Sequence, residues 1–573
     1  MRSVIRLINT PPSAFPTSVI RGTFLYGNIA AAVFCGILQM VIEPTEQNLL
    51  CATLSGLAVI LTSIYCFRER PIQKHLYSTL AVFGTCLVAI GLALYGMTME
   101  WRPLDFNLRF PVLTFGSSLA FVVLCIVAHA IFSQSSILTM FSHKIRDAVY
   151  KPLGFVRVPS DIELWLLGGI GVVAILLSAT GQAEYGANSI KSGDVGGKFM
   201  QSFIGFAVAP YIILFKNGLI SNKADRSGLS TSSMSKWLLG GYSIAFLGLA
   251  IARNARGPFA EVILIIAVCV MAMLLKGAIR VNSRTLAIAG AMAIIGLPIA
   301  GMLGNLSAAM TIVRGERSTL SPAALVAKTL DTMMSPALIE SVKEKSNIIT
   351  AEYNEIYFKN EFFTRFSVTK YTDINWSAIG GFPDVSPALH DIAVTGVTDH
   401  FWGLLPAPVL NAMHINIDKD SQRFLSSQGD LYVNYASLRD LGGFITGSAI
   451  PDCWVLFGPL APFIIVGVVI AYFIFMDSFL VFDGKGNVFV LTFSVPIAAR
   501  IFQGLLLPEG FYSYLGFFVR GMPQMVLFYF LATQATRMIF SWIGRPGGNL
   551  DARPRRFRRT LRRIERPTLK RDT

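Results

Sequence analysis

A chain of 573 residues of which 53% are hydrophobic and only 14% charged does not fit a soluble globular protein, where about a quarter of the residues carry charge. The formal charge of +15 does not make it a nucleic-acid binder, because much of that charge sits in one terminal stretch, RPRRFRRTLRRIERPTLKR. The composition points instead to an all-α polytopic membrane protein.

The N-terminus carries Arg2 and Arg6 but continues NTPPSAFPT, which has no apolar signal-peptide core, so the first apolar run is expected to remain as a span. A bilayer core needs about 20 apolar residues per helix. On that basis spans are predicted at 24–42, 48–67, 76–99, 111–132, 164–180, 200–215, 237–253, 260–277, 287–310, 454–475, 488–507 and 522–543. These make about 12 transmembrane helices. The chain divides into spans 1–9 (residues 1–310), a polar region at 311–453 that is too long for an ordinary connection, spans 10–12 (454–543) and a basic tail (544–573).

Orientation follows from lysine and arginine in the short loops. Arg68, Arg70 and Lys74, then Lys144, Arg146, Lys151 and Arg157, then Lys216, Lys223, Arg226 and Lys236, then Arg280 and Arg284 fall in alternate loops, while the first outward loop, EPTEQ, has none. Both termini are therefore expected in the cytoplasm, and the 311–453 region on the outer, periplasmic face. In the tail, Phe557, Leu561 and Ile564 recur at helical spacing among arginines. That pattern suits an interfacial helix on anionic bilayer lipids, with a solvated disordered tail as the alternative.

The count leaves RNARGPF, residues 253–259, facing outward between two short spans. Arginine costs roughly 2.5–3.5 kcal/mol at the centre of a membrane helix. Arg253 and Arg256 either snorkel to lipid phosphates or line a cavity and hold an anionic ligand. Pro258 suits the first turn of the next helix, whose amide-rich start favours an anion, whereas Glu261 offers Arg256 a neutralising partner.

Within the outward region, LSPAALVAKTLDTMMSPALIESVKEK places Val326, Leu330, Met333 and Met334 on one face, which predicts an amphipathic helix on the membrane or over a cavity. Trp376, Phe382, Trp402, Asp399, His400, Arg423 and Arg439 follow. Aromatic faces beside polar groups suit carbohydrate, and any folded outer domain also needs an aromatic core. His390 and His414 are expected to be core or surface residues. The seven cysteines show no CxxC or Cys/His spacing, so neither a disulfide framework nor a metal site is predicted.

Three stretches together resemble a known family. RNARGPF opening a helix, FFTRFS in a long outward loop, and GFITGSAIPDCWVLFGPLAPFIIVGVVIAYF leading from that loop into a span are similar to segments of bacterial oligosaccharide-repeat-unit polymerases, the Wzy-type O-antigen and exopolysaccharide polymerases. The Arg-to-Gly spacing of eleven residues that some members carry is not present in the outward loops. The resemblance implies a membrane glycosyltransferase of the bacterial inner membrane. It would move a growing glycan from undecaprenyl diphosphate to the terminal sugar of another lipid-linked repeat unit, with no cofactor. A chain-length regulator and a flippase are the partners the family suggests; nucleic acid is not one. Such chemistry needs cations for the leaving diphosphate, and Arg253, Arg256, Arg365 and Arg439 are the candidates, with Arg314 and Arg317 beside them. It also needs a base for the acceptor hydroxyl, and Asp399, His400 and Asp452 are the candidates. An O-antigen ligase using the same donor, a transporter, a polyprenyl-phosphate-sugar glycosyltransferase and a non-catalytic scaffold are the alternatives.

Overall fold

The computed structural model describes residues 17–542 apart from 156–158, 181–198, 201, 216–232, 254–256, 280, 317–318, 346–352, 354, 365–366, 383, 420, 443–444, 483–487 and 491–508. The chain is an all-α membrane protein. Among the described residues, six helices are long and apolar enough to cross a bilayer. They are α1 (Thr17–Ile42), α2 (Glu46–Cys66), α3 (Leu76–Met99), α4 (Pro111–Gln134), a helix at Ala449–Asp477 and a last one at Phe511–Ile539. Most of α3 is enclosed by its neighbours, whereas few residues of α1 are buried.

Between α4 and the later spans come α5 (Ser136–Ile145), α6 (Asp161–Thr180), α7 (Ser233–Ala252), α8 (Gly257–Leu275) and α9 (Ser283–Ile312). The polar region supplies α10 (Pro322–Met333), α11 (Pro336–Lys345), α12 (Glu361–Thr364), α13 (Thr369–Ala378), α14 (Pro387–Gly403), α15 (Ala407–Ala412), α16 (Gln422–Leu425) and α17 (Gln428–Ser437). Ala449–Asp477 is α18 and Phe511–Ile539 is α19. Local chemistry sets these starts. Thr45 caps α2 by accepting from Asn48 N at 3.3 Å, and Ser386 and Ser427 cap α14 and α17 in the same way. Pro111, Pro322 and Pro387 open their helices where the missing N–H costs nothing.

Two expected spans take another form. Within 200–215 the chain is a 3-10 helix, Ile204–Leu214, containing Pro210. Proline removes an intrahelical donor, and this 11-residue segment beds against α6, where a Cβ on Gly171 would lie 2.1 Å from Ala207 N. The 488–507 run begins as a strand: Val488–Val490 pairs antiparallel with Leu480–Phe482 just after α18, and residues 491–507 lie outside the described part. The runs at 237–253 and 260–277 correspond to the apolar helices α7, of 20 residues, and α8, of 19 residues.

The amphipathic prediction for 320–345 holds in kind but not in the face chosen. Leu325, Thr329 and Thr332 are buried, with Val326 and Met333 packed against α7 and α9, while Leu330 and Met334 point outward.

Candidate functional site

The polar region does not sit apart from the bundle; it folds down onto the end that carries the loops at 43–45 and 100–110. Tyr357 donates its hydroxyl to Leu104 O at 2.6 Å, and Asn107 Nδ2 donates to Ile356 O at 2.6 Å. Glu100, just past the end of α3, accepts the amides of Lys359 at 2.7 Å and Asn360 at 3.1 Å. Burial pushes the Glu100 carboxyl above its usual range, against the pull of those two amides and of Arg102 and Lys359. Phe358 seats on α3 where Gly96 leaves room; a Cβ there would lie 2.6 Å from the ring.

From that level the chain dives along α3. Val368 N donates to Val88 O at 3.4 Å, and Thr369 Oγ1 donates to Ala89 O at 3.3 Å. Both carbonyls belong to the π-turn Leu87–Gly91, where the widened ladder leaves acceptors open to an outside donor. Val88 is eleven residues before Met99, so the contact lies roughly 16 Å along the helix from its loop-bearing end. The chain then climbs back as α13, all ten residues of which are buried. Trp376 Nε1 reaches Ser117 Oγ on α4 at 3.0 Å.

Asp373 fastens this re-entrant segment. Its carboxylate accepts Arg109 N at 2.9 Å and Phe110 N at 2.8 Å, immediately before Pro111 opens α4, and pairs with Lys370 at 3.2 Å. Lys370 Nζ also donates to Asn107 O. An anion at a helix start is matched to the positive end of the helix dipole. Burial lowers the Lys370 ammonium from its usual range, and Asp373 opposes that shift.

The GFITGSAIPDCWVLFG stretch forms the second fastening. Gly447 has no alternative: a Cβ would lie 1.8 Å from Glu509 O. Ser448 Oγ meets Thr372 Oγ1 at 2.9 Å. Asp452, fully enclosed, accepts from Tyr432 Oη and from Phe511 N, the first amide of α19. His390 Nδ1 donates to Val455 O at 2.9 Å. In a straight helix that carbonyl would take the amide four residues on, but Pro459 has none.

The candidate residues separate accordingly. Asp452 is committed to interhelical hydrogen bonds rather than presented to a surface. His400 is half-buried and stacks on Tyr512 at 4.6 Å and Phe424 at 5.3 Å. Its Nδ1 contacts Gly396 O at 2.6 Å, which requires a proton on Nδ1 and leaves Nε2 as the basic atom of the neutral ring. Asp399 precedes it on α14, half-buried. Near the same rim, Tyr512 Oη donates to Glu509 Oε2 at 3.3 Å, a carboxylate that sequence reasoning passed over. Arg439 is exposed after the left-handed cap of α17, and Arg314 is exposed in the turn after α9. Arg253 closes α7, near the α10 face that packs on Ile251. Arg256, Arg317 and Arg365 lie outside the described residues; Thr364 and Ser367, which flank Arg365 and Phe366, are buried. Of the aromatics, Trp376 is core, whereas Phe382 is exposed and stacks on Trp454 at 4.5 Å.

No family model, curated protein or solved structure matches the chain.

Proposed function

We propose that the chain is a membrane glycosyltransferase that joins undecaprenyl-diphosphate-linked oligosaccharide repeat units at the outer face of the bacterial inner membrane. The observation that supports this reading most is the burial of Thr364 and Ser367, on either side of Arg365 and Phe366 in FFTRFS. Its flanks are buried against α3 and α9 below the loop-bearing end, a depth suited to a diphosphate whose lipid tail lies in the bilayer and whose glycan lies outside it. Arg365 is the foremost candidate to hold the leaving diphosphate, and Arg256 and Arg253 are the further candidates, because a guanidinium forks onto phosphate oxygens. His400, with Nε2 as the open basic atom, is the better base candidate of the three, since Asp452 is taken up in packing.

The test is a deletion strain complemented with wild type, Arg365→Ala, Arg256→Ala or His400→Gln, with surface glycan and lipid-linked intermediates separated on a gel. Loss of the polymer ladder with accumulation of single lipid-linked repeats, rescued by wild type alone, is the expected result. Long polymer retained on the lipid carrier would replace the reading with a ligase, and an unchanged glycan profile would end it in favour of a transporter.

A further inference from the structure

The last span, α19, carries a cation that the function above does not use. Arg520 is exposed beside Val519 in an otherwise apolar stretch, within the π-turn Phe517–Gly521. Met522 N donates to Phe517 O, five residues back rather than four, and Pro523, which follows, has no N–H to offer. Turns of this kind recur at functional sites. Phe517 and Phe518 hold the other side of the turn against α18: Tyr472 stacks on Phe517 at 4.7 Å and meets Phe518 edge-on at 4.8 Å. That packing sends Val519 and Arg520 outward. Among the described residues, no hydrogen bond or ion pair engages Arg520.

The π-turn also sets what lies above and below the arginine. In a plain α-helix residue 519 would return under Tyr512 after two turns; the extra residue of the π-turn brings residue 520 there instead. Continuing at helical spacing, Leu527, Leu531 and Met538 share that face, and all three are exposed. Towards the loop-bearing end, Tyr512 stacks on His400 at 4.6 Å, and Leu404, just past α14, lies over Gly516, 3.7 Å from where a Cβ would be. One face of α19 therefore presents, in order, a polar aromatic rim, a cation and an open apolar stripe. Arg520 is nine residues past Phe511, roughly 14 Å along the helix. That is close to the depth at which Val368 meets Val88 on α3. With 29 residues, α19 reaches about 43 Å, the thickness of a bilayer with its headgroups, so position 520 falls inside the hydrocarbon edge.

Arginine stays charged, and an exposed guanidinium at this depth is costly unless an anion reaches it. We propose that Arg520 holds the diphosphate of the polyprenyl-linked substrate, its guanidinium forking onto phosphate oxygens while the isoprenoid chain lies along Leu527, Leu531 and Met538. This role rests on the lipid-linked substrate proposed above and adds to it a binding group that the arginines named there do not include. In such a lipid a tail, a diphosphate and a sugar follow one another in the order in which the stripe, the cation and the rim follow one another on α19. A phospholipid phosphate offers a guanidinium the same chemistry, but it carries no glycan to meet the His400–Tyr512 rim.

The experiment measures, by native mass spectrometry, the binding of undecaprenyl diphosphate and, separately, of phosphatidylglycerol to the full chain in phosphatidylcholine nanodiscs. Wild type is compared with Arg520→Gln, Arg520→Lys and Arg68→Gln, Arg68 being an exposed arginine at the opposite end of the bundle. Arg520→Gln should weaken undecaprenyl diphosphate binding about tenfold or more and leave phosphatidylglycerol unchanged. Arg520→Lys should recover part of the loss, and Arg68→Gln should match wild type. Equal undecaprenyl diphosphate binding by wild type and Arg520→Gln would overturn the role of Arg520 and leave the proposed substrate standing. No binding by wild type would overturn both. A matching loss of phosphatidylglycerol would make Arg520 an anchor for bulk lipid and overturn the proposal. Should Arg520→Gln not fold, phenylglyoxal labelling of wild type decides. Protection of Arg520 by undecaprenyl diphosphate and not by phosphatidylglycerol supports the site; equal labelling with either lipid overturns it.

Discussion

Both ends of the bundle are sewn together by the same device, a buried aspartate that accepts the first amides of a helix belonging to another part of the chain. At the loop-bearing end Asp373 takes the start of α4 and Asp452 the start of α19; at the other end Asp477 takes the start of α3. The partners differ. Asp373 is completed by Lys370 and backbone amides, and Asp452 by a tyrosine and an amide. Asp477 is completed by a histidine and a serine that leads to a second histidine.

The largest expected effect tests the first half of that contrast. Asp373→Ala leaves the Lys370 ammonium buried without its carboxylate and two amides unpaired, a loss of about 3–5 kcal/mol. Little monodisperse protein should survive size-exclusion chromatography in detergent. Adding Lys370→Met to Asp373→Ala should recover part of the loss, because removing both partners is far cheaper than stranding one. If Asp373→Ala behaves as wild type, the loop-bearing end is not fastened there.

A smaller effect is expected at Gly447, where a methyl group must displace the Glu509 carbonyl that it would otherwise overlap. Overpacking of this kind costs about 1–3 kcal/mol. Gly467, within the following α18 helix and with nothing within 4 Å, is the control, and Gly467→Ala should be neutral or slightly stabilising. Equal melting behaviour for the two alanine variants would mean that the 447–452 stretch is not the hub described.

How much of this was readable beforehand depends on which residues carry it. The membrane class, the long polar region and most helix starts follow from local composition and local capping residues. Asp452 stood out because it sits beside a motif, and His400 because it lies among aromatic and polar residues of the long region. Asp373, Asp477, His75 and His129 did not, because apart from Lys370, three residues from Asp373, the partners that fix them lie 51 to 402 residues away and no spacing rule connects them. One signal was available: a histidine within the apolar run VAHAIF and an aspartate closing another, each costly in a bilayer unless paired. The amphipathic face at 320–345 was misjudged because Thr329 and Thr332, buried in the structure, read as polar.

The smallest effect is expected at Glu100, and it depends on pH. Glu100 lies on the loop-bearing end, and burial raises its carboxyl above the ordinary range despite the two amides that it accepts. Its folded-state pKa therefore exceeds the unfolded one. The contribution of this group to stability is greatest below the ordinary carboxyl range and is lost as pH rises through the raised value. Glu100→Gln removes that titration and turns one acceptor into a donor facing an amide, a cost of about 0.5–1.5 kcal/mol. The gap in melting midpoint between wild type and Glu100→Gln should accordingly be wider at pH 4 than at pH 7. A gap that does not change with pH would mean that the Glu100 carboxyl is not enclosed by the 359–360 segment as described.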